Sequence, residues 1–224
     1  MKVIVFGATG MIGQGVLREC LLDDAVESVL VVGRTALGRE HPKLREILHR
    51  DFTDFTAIAD ELTGYDACFF CLGVSSVGMN EADYRRVTYD ITLAAARTLA
   101  ERNPDLTFIY VSGEGTDSSE RGRTMWARVK GATENALIAL PFHAYAFRPG
   151  YIQPRHGITS KTRLYRVAYA VGGWLFPVLK KLFPGAITTT DQLGRAMIGV
   201  ALTGAPERVL NSRAINALYP APRQ

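Results

Sequence analysis

Three glycines near the start of the chain have the spacing of a phosphate-binding turn. Gly7, Gly10 and Gly13 follow an apolar run at residues 3–6 and precede apolar residues at helical spacing. Gly7 permits a tight turn, Gly10 lets the backbone approach a pyrophosphate, and Gly13 lets the helix pack closely on the strand. The start of the helix then offers free N–H groups and a partial positive charge. We expect a dinucleotide to be held by residues Gly7, Ala8, Thr9, Gly10, Met11 and Ile12.

Alternating apolar runs and helical patterns predict the elements that position this turn. The predicted strands cover residues 3–6, 29–32, 44–49, 65–71, 106–112 and 142–147. The predicted helices after the first lie at residues 54–62, 80–102, 124–140 and 191–202, and a short tail follows. This alternation predicts an α/β Rossmann fold, a doubly wound parallel sheet in the order 3-2-1-4-5-6 with room for an extra strand. We expect residues 1–152 to form the nucleotide-binding domain and residues 153–224 a smaller helical lid or substrate segment packed on it.

The residue type after the second strand bears on cofactor preference. An acidic residue there accepts hydrogen bonds from the adenosine ribose and repels a 2′-phosphate, whereas this chain has Arg34, with Arg39 five residues later. A guanidinium can bind a 2′-phosphate bidentately, so Arg34 favours NADP(H) over NAD(H). The alternative is a solvated surface arginine.

Two further strand ends carry candidate cofactor contacts. Asp51 can contact the adenine amino group and Phe52 can pack on the ring, although Asp51 also fits a helix N-cap. Cys71, Leu72 and Gly73 follow the fourth strand, across the crevice from the glycine turn. Cys68 and Cys71 form C-x-x-C, but residues three apart on a strand point to opposite faces, so we expect no metal site.

Composition narrows the class of protein. The net charge of +4 suits an anionic cofactor, and without a dense Lys/Arg block we expect no nucleic-acid partner. The three cysteines and the lack of a signal-peptide pattern predict a reducing compartment, and we expect a cytoplasmic protein. No apolar run is long enough for a membrane span. Residues 161–183 are apolar with basic ends, which favours a lid or oligomer helix and also fits a helix on a membrane surface.

The motifs together resemble the extended and atypical short-chain dehydrogenase/reductases, in particular their small NmrA-like, NAD(P)-binding group. The resemblance covers residues 1 to about 152, and its motifs are Gly7-Ala-Thr-Gly-Met-Ile-Gly13, Cys71-Leu-Gly73, the Ser112 strand end, Val129-Lys-Gly131 with Glu134, and Phe147-Arg-Pro-Gly150. It implies a modified Rossmann fold that binds NADP(H) in an extended pose.

The resemblance also implies a catalytic Tyr-x-x-x-Lys pair assisted by a serine. Lys130 matches the lysine and Ser112 the serine region, but Trp126 stands where the tyrosine is expected. An indole N–H donates hydrogen bonds and is not an acid–base group near neutral pH. Lys130 can still hold the ribose hydroxyls. Tyr110, Tyr145 and Tyr151 remain as replacement acids, with Tyr151 the best placed just after the sixth strand.

Two functions remain open at this point. One is an NADP(H)-dependent reductase or epimerase-like oxidoreductase with a non-standard proton donor, acting on an unidentified small molecule. The other is an NADP(H)-binding sensor or regulator that does little chemistry. The sequence leaves open whether the protein is a monomer or a homodimer.

Overall fold

The computed structural model describes residues 1–158, 185 and 187–218. Its strands are β1 Lys2–Phe6, β2 Ser28–Gly33, β3 Leu44–Leu48, β4 Ala67–Phe70, β5 Thr107–Val111, β6 His143–Arg148, β7 Tyr151–Gln153, β8 Ile187–Thr189 and β9 Val209–Asn211. Seven of them form one sheet in the order β3-β2-β1-β4-β5-β6-β9, and β7 and β8 form a separate pair. Every pairing is parallel. The predicted Rossmann class and strand order are confirmed, with β9 as the extra strand.

The helices cover both faces of this sheet. They are α1 Met11–Leu22, α2 Glu81–Arg85, α3 Ile91–Arg102, α4 Met125–Ile138, α5 Thr190–Thr203 and α6 Ser212–Leu218. A π-helical turn at Arg86–Asp90 joins α2 to α3, so the helix predicted over residues 80–102 is continuous but irregular. No helix in the described part of the chain is long and apolar enough to cross a membrane.

The helix predicted over residues 54–62 is wrong. Two short 3₁₀ turns, Thr56–Ile58 and Asp60–Leu62, occupy that stretch. The Asp54 carboxylate accepts hydrogen bonds from the Thr56 amide at 2.8 Å and hydroxyl at 2.5 Å, a local arrangement that competes with helix formation. The apolar side chains that suggested the helix still reach the core, because Phe55 and Leu62 are buried.

Alternating residues of the central strands fill two hydrophobic cores, one on each face of the sheet. Val3 and Val5 lie in the first core, and Ile4 and Phe6 lie in the second. Cys68 belongs to the second core and Cys71 packs against the first, which confirms that the two thiols point to opposite faces. Among the described residues, no three His, Cys, Asp or Glu side chains are grouped so as to hold a metal ion.

The C-terminal part of the chain is more structured than the predicted helix and short tail. The helix predicted over 191–202 is confirmed as α5, but β9 and α6 follow it where only a tail was expected. The apolar signal of β9 was too short to detect, since Leu210 is its only buried residue. The helix predicted over residues 161–183 lies outside the described residues.

Candidate functional site

The glycine turn between β1 and α1 is packed so closely that side chains are excluded from it. Gly7 has φ of +80°, and a Cβ there would lie 2.7 Å from the carbonyl carbon of Cys71. A Cβ on Gly13 would lie 2.1 Å from the Gly7 carbonyl oxygen. The Gly10 amide donates to that same oxygen at 2.9 Å. The turn therefore lies directly against the end of β4 and the start of α1.

The first turn of α1 is open to an anion. Its N-cap is Gly10, so no side chain caps the helix, and its first turn contains no acidic residue. The Gln14 side chain donates to the Thr9 carbonyl at 3.2 Å and orders the approach to the helix. Uncapped N–H groups and the helix dipole favour a phosphate at this point, so these residues fit the pyrophosphate of a dinucleotide.

Arg34 follows β2 as an exposed residue, and no described residue pairs with its guanidinium. Arg39, in the same loop, is exposed as well. The Leu37 amide between them donates to the Glu46 carboxylate of β3 at 2.9 Å, which ties the loop to the sheet edge. A free guanidinium beside a parallel strand end can bind a phosphate bidentately.

Asp51 and Phe52 follow β3 and have different surroundings. Asp51 is exposed, and one carboxylate oxygen accepts from the Thr53 hydroxyl at 2.5 Å and amide at 2.9 Å. These hydrogen bonds hold the pKa of Asp51 below its usual range. The α-helix expected directly after Asp51 is replaced by 3₁₀ turns, so the Asp51 carboxylate caps a local turn at Thr53 instead of a helix. The Phe52 ring is buried with its edge toward Phe6, at 6.2 Å between centroids. Contact of either residue with adenine stays a prediction.

The end of β4 lies directly against the glycine turn. The Cys71 amide donates to the Phe6 carbonyl at 3.0 Å, and Leu72 and the exposed Gly73 continue the chain along this edge. Burial raises the pKa of the Cys71 thiol to about 12, so it stays protonated at neutral pH. The loop that follows exposes Val74 and Val77.

Ser112 and Lys130 meet at the end of β5. The Lys130 ammonium donates to the Ser112 carbonyl oxygen. The Ser112 hydroxyl is buried and donates to the Phe147 carbonyl of β6 at 3.2 Å. Burial lowers the pKa of Lys130 to about 8, although the nearby Glu134 carboxylate opposes the effect. The structure therefore brings these two predicted residues together, with the serine hydroxyl already engaged.

Trp126 lies on α4 one turn before Lys130. Its indole ring packs on the loop after β5, since a Cβ on Gly115 would lie 3.3 Å from Cη2 of the ring. The same loop is held against α4 further along, where a Cβ on Gly131 would lie 1.8 Å from the Asp117 carbonyl oxygen.

The three tyrosines considered as proton donors lie in different places. Tyr110 is fully buried, its hydroxyl bonds to Thr133, and burial raises its pKa far above the usual range. The Tyr145 hydroxyl accepts from the Ala205 amide at 3.3 Å. Tyr151 is 37% exposed and donates to the Gln153 side chain at 2.9 Å, and partial burial raises its pKa. Tyr151 alone is both accessible and close in sequence to the β6 end.

One pair of residues was not assigned a role from the sequence. Glu134 of α4 is almost fully buried and forms a two-pronged ion pair with Arg148 at the end of β6. Both residues lie in motifs that carry the family resemblance. The sequence signal for this pair is a glutamate one helical turn after Lys130.

The fold and this strand-end site define a nucleotide-binding protein of the short-chain dehydrogenase/reductase type. The model of the NAD dependent epimerase/dehydratase family matches residues 3–121, a stretch that includes the glycine turn, Arg34, Cys71 and Ser112. The chain belongs to this NAD(P)-binding family, and the resemblance indicated by its motifs is confirmed.

One relative matches most of the chain, and a second matches two thirds of it. Protein fmp52-2, mitochondrial, from Aspergillus terreus is 28% identical over 204 residues, which are 88% of this chain and 85% of that protein. Protein HTATIP2 from Rattus norvegicus is 29% identical over 154 residues, which are 67% of this chain and 62% of that protein.

These comparisons overturn the expectation of a cytoplasmic protein. Fungal relatives from Aspergillus terreus, Scheffersomyces stipitis and Candida albicans are named as mitochondrial. The expectation relied on unpaired cysteines, and Cys20, Cys68 and Cys71 are indeed free thiols. Free thiols indicate only reducing surroundings, and these do not identify one compartment.

Solved structures share the fold. The Bordetella bronchiseptica enzyme WbmF in complex with NAD⁺ has a TM-score of 0.67 at 18% identity, covering 97% of this chain and 76% of that chain. A UDP-glucose 4-epimerase has a TM-score of 0.69 at 16% identity, covering 96% of this chain and 80% of that chain.

Proposed function

We propose that the protein is an NADP(H)-dependent oxidoreductase that reduces a small carbonyl-type substrate. The observation that carries this proposal is the uncapped N-terminus of α1, which directly follows a glycine turn packed against the end of β4, while the Lys130 ammonium lies at the carboxyl end of the neighbouring strand β5. Backbone N–H groups and a buried ammonium together suit a ligand that carries a pyrophosphate and a ribose.

In this proposal each candidate residue has a separate part. Residues Gly7 to Ile12 hold the pyrophosphate, and Arg34 binds the 2′-phosphate and favours NADP(H). Asp51 and Phe52 border the adenine, and the backbone of Cys71 to Gly73 borders the rest of the cofactor. Lys130 binds the nicotinamide ribose hydroxyls. The bound cofactor supplies a hydride.

The reaction also requires a proton donor. Trp126 occupies the position of the family tyrosine, and its indole cannot exchange a proton near neutral pH. The Ser112 hydroxyl is available to a substrate oxygen only if it leaves the Phe147 carbonyl. Tyr151 is therefore our candidate for the proton donor, with Ser112 and Lys130 as its partners.

A second function, an NADP(H)-binding sensor with little turnover, is favoured by one observation. The Trp126 ring packs on the Gly115 backbone, and an indole at this position of α4 supplies no hydroxyl to a substrate. The cofactor contacts proposed above serve either function.

The test compares wild type, Trp126→Tyr and Tyr151→Phe for NADPH binding and for NADPH oxidation with quinones, flavins and carbonyl compounds. We expect all three to bind NADPH. A general acid contributes about 10²- to 10⁴-fold, so Tyr151→Phe should lose at least tenfold in kcat, and Trp126→Tyr should gain activity. Binding without turnover in any variant would favour the sensor. Absence of NADPH binding would overturn both functions.

A further inference from the structure

We propose that Arg148 is a positioning residue that occupies the Glu134 carboxylate and so keeps the Lys130 ammonium free for the cofactor. The inference rests on the proposed function, because it assigns how the cation of that site is kept available. It concerns a residue at the end of β6, two strands away from β4 in the sheet.

Arg148 and Glu134 form a bidentate, buried ion pair. Arg148 Nε lies 3.0 Å and 3.1 Å from the two Glu134 carboxylate oxygens, and Nη2 donates to one of them. Nη2 also donates to the Ser118 hydroxyl at 2.5 Å. The Glu134 side chain is 1% exposed, so water does not compete for it. Both carboxylate oxygens therefore have guanidinium partners.

Glu134 is also the acid best placed to capture Lys130. The two residues are four apart on α4, a spacing at which side chains of opposite charge meet on a helix. Nevertheless, the Lys130 ammonium donates to the carbonyl of Ser112, just after β5, and takes no part in the ion pair. Two cations, Arg148 and Lys130, thus lie near one anion, Glu134, and it is Arg148 that forms the ion pair with it.

Tyr110 of β5 lies near the Glu134 carboxylate and adds no charge to this cluster. Burial raises the pKa of Tyr110 and of its neighbour Tyr84, so both phenols are neutral near pH 7. Among the residues that the structure describes, no carboxylate forms an ion pair with the Lys130 ammonium. That is the state in which an ammonium is available to a ligand hydroxyl or phosphate.

The experiment measures two quantities in Arg148→Gln, Glu134→Gln and the double variant. One is the NADPH dissociation constant at pH 7. The other is the pKa of the Lys130 amine in the cofactor-free protein, followed by NMR of ¹³C-labelled lysine. Arg148→Gln should weaken NADPH binding at least tenfold and raise the Lys130 pKa, because Glu134 then pairs with Lys130. Glu134→Gln should lower that pKa.

The double variant distinguishes positioning from simple structural support. With neither charge present, Lys130 is again free, and NADPH affinity should return to within threefold of wild type. A double variant as weak as Arg148→Gln, or single variants that shift the Lys130 pKa in the same direction, would overturn the proposal. If Arg148→Gln does not fold, the neutral variant Arg148→Met replaces it, and an unchanged Lys130 pKa in that variant would likewise overturn the proposal.

The failure of this inference is separate from failure of the proposed function. If the wild-type protein does not bind NADPH, the proposed function is wrong, whether or not the Lys130 pKa changes in the variants. Wild type that binds NADPH, with no change of affinity in Arg148→Gln, removes only the role of Arg148.

Discussion

The two cations proposed to contact the cofactor have different surroundings. Arg34 is exposed beside β2, whereas Lys130 is partly buried against the end of β5. An exposed guanidinium gains its selectivity from matching one phosphate and is screened by salt. A buried ammonium acts on any nicotinamide cofactor, and its charge depends on pH because burial lowers its pKa to about 8. Arg34 should therefore set preference, and Lys130 should set overall affinity.

Replacing Arg34 tests the preference. Arg34→Ala should weaken NADPH binding about tenfold and leave NADH binding unchanged, because a charged hydrogen bond to the 2′-phosphate is worth about 1.5–3 kcal/mol. Fluorescence titration of both cofactors at low and high salt measures the effect. Arg39→Ala, at an exposed position in the same loop, is the matched control and should have a smaller effect. An unchanged NADPH-to-NADH ratio in Arg34→Ala would show that Arg34 does not read the phosphate.

At the scale of elements, the site depends on one strand–turn–helix unit. β1 ends at Phe6, the glycine turn follows, and α1 begins at Met11. The clearances are not equal along the turn, since a Cβ on Gly13 would lie 2.1 Å from the Gly7 carbonyl oxygen and one on Gly10 would lie 3.3 Å from it. The start of α1 can lie this close to β1 only because Gly13 has no side chain.

This difference predicts graded effects of two alanine substitutions. Gly13→Ala should force α1 away from the turn, lower the free energy of unfolding by about 1–3 kcal/mol and weaken NADPH and NADH binding together by more than tenfold. Gly10→Ala, whose Cβ has more room, should destabilise the protein less. Urea unfolding and cofactor titration measure the two effects. Equal stability of Gly13→Ala and wild type would contradict the close packing.

The sequence predicted those elements whose signal is local. The central strands are buried on both faces, so each appears as a nearly continuous apolar run. The glycine spacing is likewise a local signal, because Gly7 and Gly13 mark positions where a side chain would clash with nearby backbone. The pairing of Glu134 with Arg148 depends on how α4 and β6 are brought together, and no local pattern shows that. For the same reason β9, which is short and pairs far along the chain, was expected only as an unplaced extra strand.

At the scale of the whole molecule, α5 attaches the C-terminal part of the chain to the cofactor-binding half. It packs beside α1, where a Cβ on Gly15 would lie 2.5 Å from the Thr190 side chain. The Arg195 guanidinium links the two helices, with Nη2 2.7 Å from Asp191 and Nε 3.6 Å from Glu19. Both carboxylates are buried. Close packing and buried charge therefore join the two parts.

The Asp191 carboxylate should be a pH-sensitive part of this contact. Burial by itself raises the pKa of Asp191, but Thr189 and the neighbouring arginines Arg155 and Arg195 outweigh it and hold the pKa below its usual value. A carboxylate with a lowered folded-state pKa stabilises the protein above its unfolded pKa of 3.8, and the stabilisation is lost as pH falls through the folded value.

Asp191→Asn should therefore lower the free energy of unfolding by about 2 kcal/mol at pH 7 and by less at pH 3. Urea unfolding at the two pH values measures the difference. Asp105→Asn, at an exposed position, is the control and should change stability little at either pH. An Asp191→Asn effect that is the same at pH 3 and pH 7 would show that the charge is not what stabilises the contact.

The position of β9 at the edge of the sheet has a consequence for how the chain is made. β6 obtains its outer neighbour only when Ala146 pairs with Val209 and Arg148 with Asn211, more than sixty residues further along. During synthesis from the N-terminus, six strands are complete while β6 still exposes an unpaired edge. Such an edge is a template for association between chains. The nascent protein should thus be most prone to aggregation, and most dependent on chaperones, in the interval between synthesis of β6 and of β9.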